Sequence, residues 1–263
     1  MSDKTPLIVT RNGAVMSFSI NDAPINRMGF AYMDALEQAL EQAADDPSVR
    51  ALLFTAEGEN NFSVGMDLKE LMRDGPTRGG WEAVFDQRLR VLAQIEAMGK
   101  PSVATMYGYC LGGGLELPLA CHFRLAADSG TQIGLPEMEL GTVPAWGGTV
   151  RLTRCVGRDH ALDMILRARK VNGQEALRMG LVHSIHPIAE LKSAAMALAQ
   201  ELAEKAPLAI AGALQCIVGA DGRSLEEGLR EERMAFLRCA SSKDQAEGAR
   251  AFFEKRKPVF TGA

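Results

Sequence analysis

Long apolar runs are missing from this 263-residue sequence, and so is any marked excess of charge of one sign. No stretch approaches the roughly 18 consecutive apolar residues of a membrane-crossing helix. Lys and Arg number 29 against 33 Asp and Glu, a net charge of −4, and the one compact basic cluster is Lys255-Arg256-Lys257. Nucleic-acid binders need a basic stripe that replaces phosphate counterions. General nucleic-acid binding is therefore disfavoured, and the tripeptide reads as a solvated helix end able to meet one phosphate group. Cysteine is sparse: five residues, at 110, 121, 155, 216 and 239, none in a Cys-x-x-Cys pair. An odd count without a framework suits free thiols in a reducing compartment. The opening MSDKTPLIVTRNG carries neither the apolar core of a signal peptide nor the pattern of a transit peptide, so the cytoplasm is the expected location. A Gly-x-Ser-x-Gly nucleophile elbow is also missing. His183 and His186 form an H-x-x-H in a β-like stretch, where that spacing puts the rings on opposite faces, and no metal site is expected.

What is present is an ordinary globular composition, 47% hydrophobic and 24% charged. The length suits two small domains or one larger α/β unit. Ala14–Ile20 alternates like a half-buried strand, and residues 29–44 set Met33, Leu36 and Leu40 at helical spacing up to the break at Pro47. Ala51–Ala56 reads as a buried strand, MDLKELM as a short helix, Asp74–Gly80 as a mobile surface loop and Trp81–Met98 as a long helix. Pro101–Tyr109 is a third strand, followed by Phe123–Ala127 and Thr131–Leu135. Beyond about residue 145 helices dominate, apart from an apolar piece at Leu181–Ile185. They cover 190–205, 207–219, 224–238 and 243–255, the third opening on a Ser224-x-x-Glu227 capping box. The fold class is α/β, with a core over residues 1–195 and a helical region over 196–263.

Two segments stand out, each at a strand-to-helix junction. They are Asn61-Phe-Ser-Val-Gly65-Met66-Asp67-Leu68-Lys69-Glu70 and Tyr107-Gly-Tyr-Cys-Leu-Gly112-Gly113-Gly114-Leu-Glu116. A helix start offers unpaired N–H groups and partial positive charge. Glycines without Cβ let a ligand approach the backbone, although a flexible loop or a crowded packing contact explains three glycines equally well. Two converging N–H groups would stabilise charge developing on a thioester oxygen. Glu116, three residues after Gly113, falls on the same helix face. Its commoner role is to favour the helix dipole, yet Leu115, Leu117 and Leu119 argue against a freely solvated position, where a buried carboxylate needs partners or a raised pKa. Glu137 follows Pro136 on a turn just past a short strand. Exposure is the commoner state for such a residue, and Glu139 competes with it. Cys110 lacks an identifiable His partner and reads as packing, and Trp81, Phe85 and Trp146 read as core or pocket wall.

In this order, FSVGMDLKE, KPSVATMYGYCLGGGLEL and LPEMELGTVPAWGGTVRLTRCVG resemble the crotonase (enoyl-CoA hydratase/isomerase) superfamily, over roughly Asn21 to the C-terminus. The resemblance implies a spiral of ββα units with a C-terminal helical trimerisation region, assembled as a homotrimer or homohexamer. It implies an acyl-CoA thioester substrate, with coenzyme A part of the substrate and no separate cofactor. The Met66 and Gly113 N–H groups would form the oxyanion hole. Asn26, Leu68, Lys69 and Gly112 would line the substrate and CoA cleft, and the basic tail at 255–257 would approach CoA phosphates. Glu116 and Glu137 would be the catalytic pair of a hydratase, adding water across the 2,3 double bond. Two segments depart from the family pattern: NDAPINRMGFAYM is shorter, and Asp128–Leu135 carries an extra residue. The alternatives are a 3,2-enoyl-CoA isomerase, which needs one carboxylate at position 137, a specialised hydratase for an aromatic or alicyclic acyl group, and, from a different class, a non-catalytic acyl-CoA- or RNA-binding trimer.

Overall fold

A computed structural model describes residues 5–263. The chain opens with β1 (Leu7–Asn12), antiparallel to β2 (Val15–Ile20) across a turn at Gly13. A unit then recurs four times: a strand of a large sheet, a short strand of a second layer, and a helix. The first is β2, β3 (Arg27–Met28) and α1 (Phe30–Asp45). The second is β4 (Ala51–Ala56), β5 (Gly65–Met66), α2 (Leu68–Asp74) and α3 (Gly80–Ala97). The third is β6 (Ser102–Met106), β7 (Tyr109–Leu111) and α4 (Gly113–Ala120). The fourth is β8 (Phe123–Ala127), β9 (Gln132–Gly134), a 3-10 turn over Pro136–Leu140, and α5 (Gly148–Val156). After α6 (Arg158–Leu166) and α7 (Gly173–Arg178), β10 (Ser184–His186) closes the sheet. The chain ends in α8 (Ile188–Ala203), α9 (Pro207–Val218), α10 (Leu225–Ala240) and α11 (Lys243–Glu254).

The large sheet runs β1-β2-β4-β6-β8-β10, parallel from β2 onward, while β3 pairs with β5 and β7 with β9 in the second layer. This is the ββα spiral that the resemblance implies. Every residue of β6 is buried and only Thr55 of β4 is partly open, as parallel strands covered on both faces require. Helix α1 buries Met33, Leu36, Leu40 and Ala43 on one stripe. Helix α8 lays Leu191 and three alanines, Ala195, Ala199 and Ala203, into the core, and the alanines let it sit close to the sheet. The boundary expected between 195 and 196 falls inside this helix.

Three local expectations are corrected. Pro101–Tyr109 is two strands in different layers. The chain leaves the large sheet at Tyr107-Gly108, where Gly108 has φ +52° and a side chain would collide with the Asn60 carbonyl. Asp74–Gly80 holds a 3-10 turn over Gly75–Arg78, pinned by the Arg78–Asp34 ion pair at 2.7 Å. The last strand begins at Ser184, because the Leu181 and Val182 N–H groups bond back to the Ala176 carbonyl of α7 and not to the sheet. Among the described residues no helix is long and apolar enough to cross a membrane, and no group of three or more His, Cys, Asp or Glu is placed to hold a metal ion.

Candidate active site

Strand β7 delivers the chain to Gly112, whose φ of 55° and ψ of −128° suit a residue without Cβ. Helix α4 starts at the next residue, so its first N–H groups precede the first intrahelical bond. Facing them is β5: a side chain on Gly65 would stand 3.0 Å from the Gly113 nitrogen. Met66 and Gly113 both line one cavity. The three glycines differ from a simple ligand-access reading, because protein fills the space over two of them. A Cβ on Gly113 would lie 2.6 Å from the Trp146 indole, and one on Gly114 2.5 Å from the Ser63 carbonyl. Gly112 faces Glu137, whose Oε1 would be 3.0 Å from a Cβ there.

Glu116 stands in the first turn of α4 and is only 2% exposed. Its Oε1 accepts the main-chain N–H groups of Trp146 at 2.7 Å and Gly148 at 2.8 Å, so the carboxyl also faces the start of α5. Burial pushes its pKa up to about 7, the neighbouring Glu137 acts in the same direction, and the two N–H donors and Arg151 oppose the rise. Glu137 sits in the 3-10 turn after β9. Burial also raises its pKa, and its Oε2 is buried without a hydrogen-bond partner among the described residues. Glu139, its competitor in the sequence, points outward and among the described residues pairs only with Lys170, at 3.7 Å.

Both carboxyl groups line a cavity of about 400 Å³. Its other walls are apolar: Val64, Leu68 and Leu71 near β5, Trp81 and Phe85 from α3, and Leu140, Val143 and Trp146 from the turn region. A carboxyl that exchanges its proton near pH 7 and a second whose pKa burial also raises, set in a largely apolar wall beside backbone N–H donors, are equipped for proton transfer next to a carbonyl whose oxygen gains charge.

The other expected site residues divide. Met66, Leu68, Gly112 and Gly113 line this cavity, whereas Lys69 lines a neighbouring hollow with Arg27 and Arg73. Asn26 is fully buried, and its amide donates to the Glu57 and Asn61 carbonyls at 3.0 and 2.7 Å. Its side chain therefore braces two loops and does not line a cleft. In the basic tail Arg256 pairs with Glu247 and Glu254, and Lys257 with Glu204, so two of the three charges are engaged within the chain. The Cys110 thiol is buried, donates to the Gly114 carbonyl at 3.2 Å, and is held well above its usual pKa by desolvation. His183 accepts the Arg124 N–H, and His186 meets Ser184.

The sequence reading missed Gly148 and Arg151. Arg151 donates to the Trp146 carbonyl at 2.9 Å and pairs with Glu96 at 3.0 Å, which fixes the turn that carries the Glu116 donors. Only the paired glycines at 147–148 hinted at a tight turn.

A ββα spiral with a buried and a half-buried carboxyl group facing a glycine-rich helix start defines a crotonase-type protein. The enoyl-CoA hydratase/isomerase family profile matches residues 10–263. A probable enoyl-CoA hydratase of Bacillus subtilis is 37% identical over 251 residues, covering 94% of this chain and 95% of the relative. The 2,3-dehydroadipyl-CoA hydratase of Escherichia coli is 35% identical over 257 residues, covering 97% and 98%. A crystal structure of enoyl-CoA hydratase from Bacillus anthracis superposes with a TM-score of 0.93 at 32% identity, covering 98% and 100%. The chain belongs to the enoyl-CoA hydratase/isomerase family of the crotonase superfamily.

Proposed function

We propose that the protein is an enoyl-CoA hydratase that adds water across the 2,3 double bond of an acyl-CoA thioester. The observation that carries this reading is the presence of two carboxyl groups, Glu116 and Glu137, on one apolar cavity wall beside Met66 and Gly113. A water held between the carboxyls attacks the β-carbon, and its proton passes to the Glu116 carboxylate. The electron pair of the double bond moves to the α-carbon, which takes a proton delivered by Glu137. In between, the thioester oxygen carries enolate charge, stabilised by the Met66 and Gly113 N–H groups. The proton gained by Glu116 then returns to Glu137, directly or through solvent, and resets the pair. Close carboxyls titrate together, so the apparent pKa values belong to the pair.

In the hollow that Arg27, Lys69 and Arg73 share with Asp22, Asp67 and Glu70, Lys69 is the cation that supports a place for the CoA phosphates. Lys69 makes no ion pair among the described residues, whereas Arg27 is held by Asp22 and Asp67. Exposed Phe236, Phe252 and Phe253 on α10 and α11 support assembly as a homotrimer through the C-terminal helices. A 3,2-enoyl-CoA isomerase needs no second carboxyl, and the anchoring of Glu116 by two N–H groups favours the hydratase.

The test follows loss of the conjugated-thioester absorbance of 2-enoyl-CoA substrates in wild type and Glu137→Gln. Loss that disappears in the variant is expected. Near-normal turnover by the variant removes Glu137 as the proton donor, and a rise in absorbance from 3-enoyl-CoA alone makes the protein an isomerase.

A further inference from the structure

The catalytic cavity opens through a ring of large apolar side chains that stand in water. Met72 is 69% exposed and Trp81 58%, with Leu140 and Val143 exposed across the opening. They come from three separate segments: α2, α3 and the turn region after β9. Trp81 and Phe85, one helical turn apart, stack with ring centroids 5.9 Å apart and an interplanar angle of 7°, forming a flat wall that runs inward. Single exposed apolar side chains are ordinary, but a contiguous ring around a cavity marks a binding surface.

Charge along this path is confined to the two glutamates at its inner end. A buried cation does lie nearby: the Arg88 guanidinium stands 5.9 Å from the Trp146 ring. It lies outside the cavity wall and opens instead onto a separate hollow with Arg78 and Arg90. The wall therefore offers no basic partner to an anionic acyl terminus, and such a terminus would lose its hydration without compensation.

Resting on the hydratase reading, we infer that the acyl group is uncharged, apolar and well beyond four carbons in length. Its C2–C3 bond lies at the Glu116/Glu137 end, and its tail runs along the Trp81–Phe85 wall to the Met72 and Leu140 rim. A crotonyl group covers only the inner part of this surface and leaves the aromatic wall wet.

Equilibrium binding of saturated acyl-CoAs, which cannot be hydrated, tests this independently of turnover. Each fully buried methylene is worth roughly fourfold in affinity, so octanoyl-CoA is expected to bind at least about tenfold more tightly than butyryl-CoA. Hexanoyl-CoA is expected to bind more tightly than adipyl-CoA, its carboxyl-ended counterpart. Trp81→Ala, a change at an exposed position, should narrow the octanoyl-to-butyryl ratio. Equal affinity for butyryl and octanoyl thioesters, or tighter binding of adipyl-CoA, overturns the inference. A chain-length preference without hydration of any enoyl-CoA supports the acyl class and sinks the hydratase reading alone.

Discussion

The main-chain N–H of Trp146 donates to Glu116 Oε1 at 2.7 Å, while the indole of the same residue fills the space over Gly113. One residue thus ties the Glu116 carboxyl to the helix start that would bear the thioester charge. Anything that moves this indole moves both halves of the site.

Gly113→Ala should therefore damage the enzyme even though it keeps the backbone N–H. The new methyl meets the Trp146 ring at 2.6 Å, so the ring and its peptide must shift. A misplacement near 1 Å typically costs about 10²-fold in rate. Steady-state kinetics with near-ultraviolet circular dichroism checks this: wild-type kcat with an unchanged tryptophan signal would show that the contact relaxes harmlessly.

Glu116 should lower the stability of the fold at neutral and alkaline pH. Its pKa rises from 4.5 to about 7 on burial, so the native state holds a proton that the unfolded chain has released. Stability then falls as pH rises through that window, by about 3 kcal/mol in all. Glu116→Gln keeps an oxygen acceptor for the two N–H donors and removes the charge. Urea titrations should find it more stable than wild type at pH 8 and equal to it at pH 4, with catalysis lost. An equal difference at both values would assign the effect to packing.

The same titration places the acid limb of kcat/KM near pH 7, because only ionised Glu116 can take the water proton. Arg151 holds the pKa of Glu116 down through its charge and fixes the Trp146 carbonyl. Arg151→Met should move that limb to higher pH and reduce kcat, with Arg151→Lys recovering part of the shift. A lower rate with an unmoved limb would leave Arg151 a purely structural role.

Glu139→Gln serves as the contrast to Glu137→Gln. Its side chain is mostly in water and pairs with Lys170, an interaction worth less than about 1 kcal/mol at such exposure. Its turnover should stay within about twofold of wild type, as expected for a surface substitution. A Glu139→Gln defect as deep as that of Glu137→Gln would reverse the assignment made within this turn.

Period and punctuation made much of the fold legible. Met33, Leu36 and Leu40 announced α1, and the apolar run 51–56 matched β4 end to end. The split between β6 and β7 was hidden because TMYGY stays strand-like in composition, and the reason for the break, the Asn60 backbone pressing on Gly108, is distant in sequence. The carboxyl pair was legible only through motif order, since helical spacing alone left Glu116 a dipole partner and Glu137 an exposed turn residue. Arg151 was illegible for another reason: its partners Glu96 and Trp146 converge only once α3 and α5 have packed. Asn26 shows the converse, because a polar residue within a cleft segment turns out to satisfy buried carbonyls.

The two tryptophans occupy opposite ends of one cavity, Trp81 in water at the rim and Trp146 only 2% exposed at the inner wall. The chain thus contains two optical reporters with unequal access to a dissolved quencher. Acrylamide should extinguish the emission of Trp81 and spare that of Trp146. An occupant of the cavity should shield the first while perturbing the colour of the second, so that filling can be followed from mouth to floor without a label.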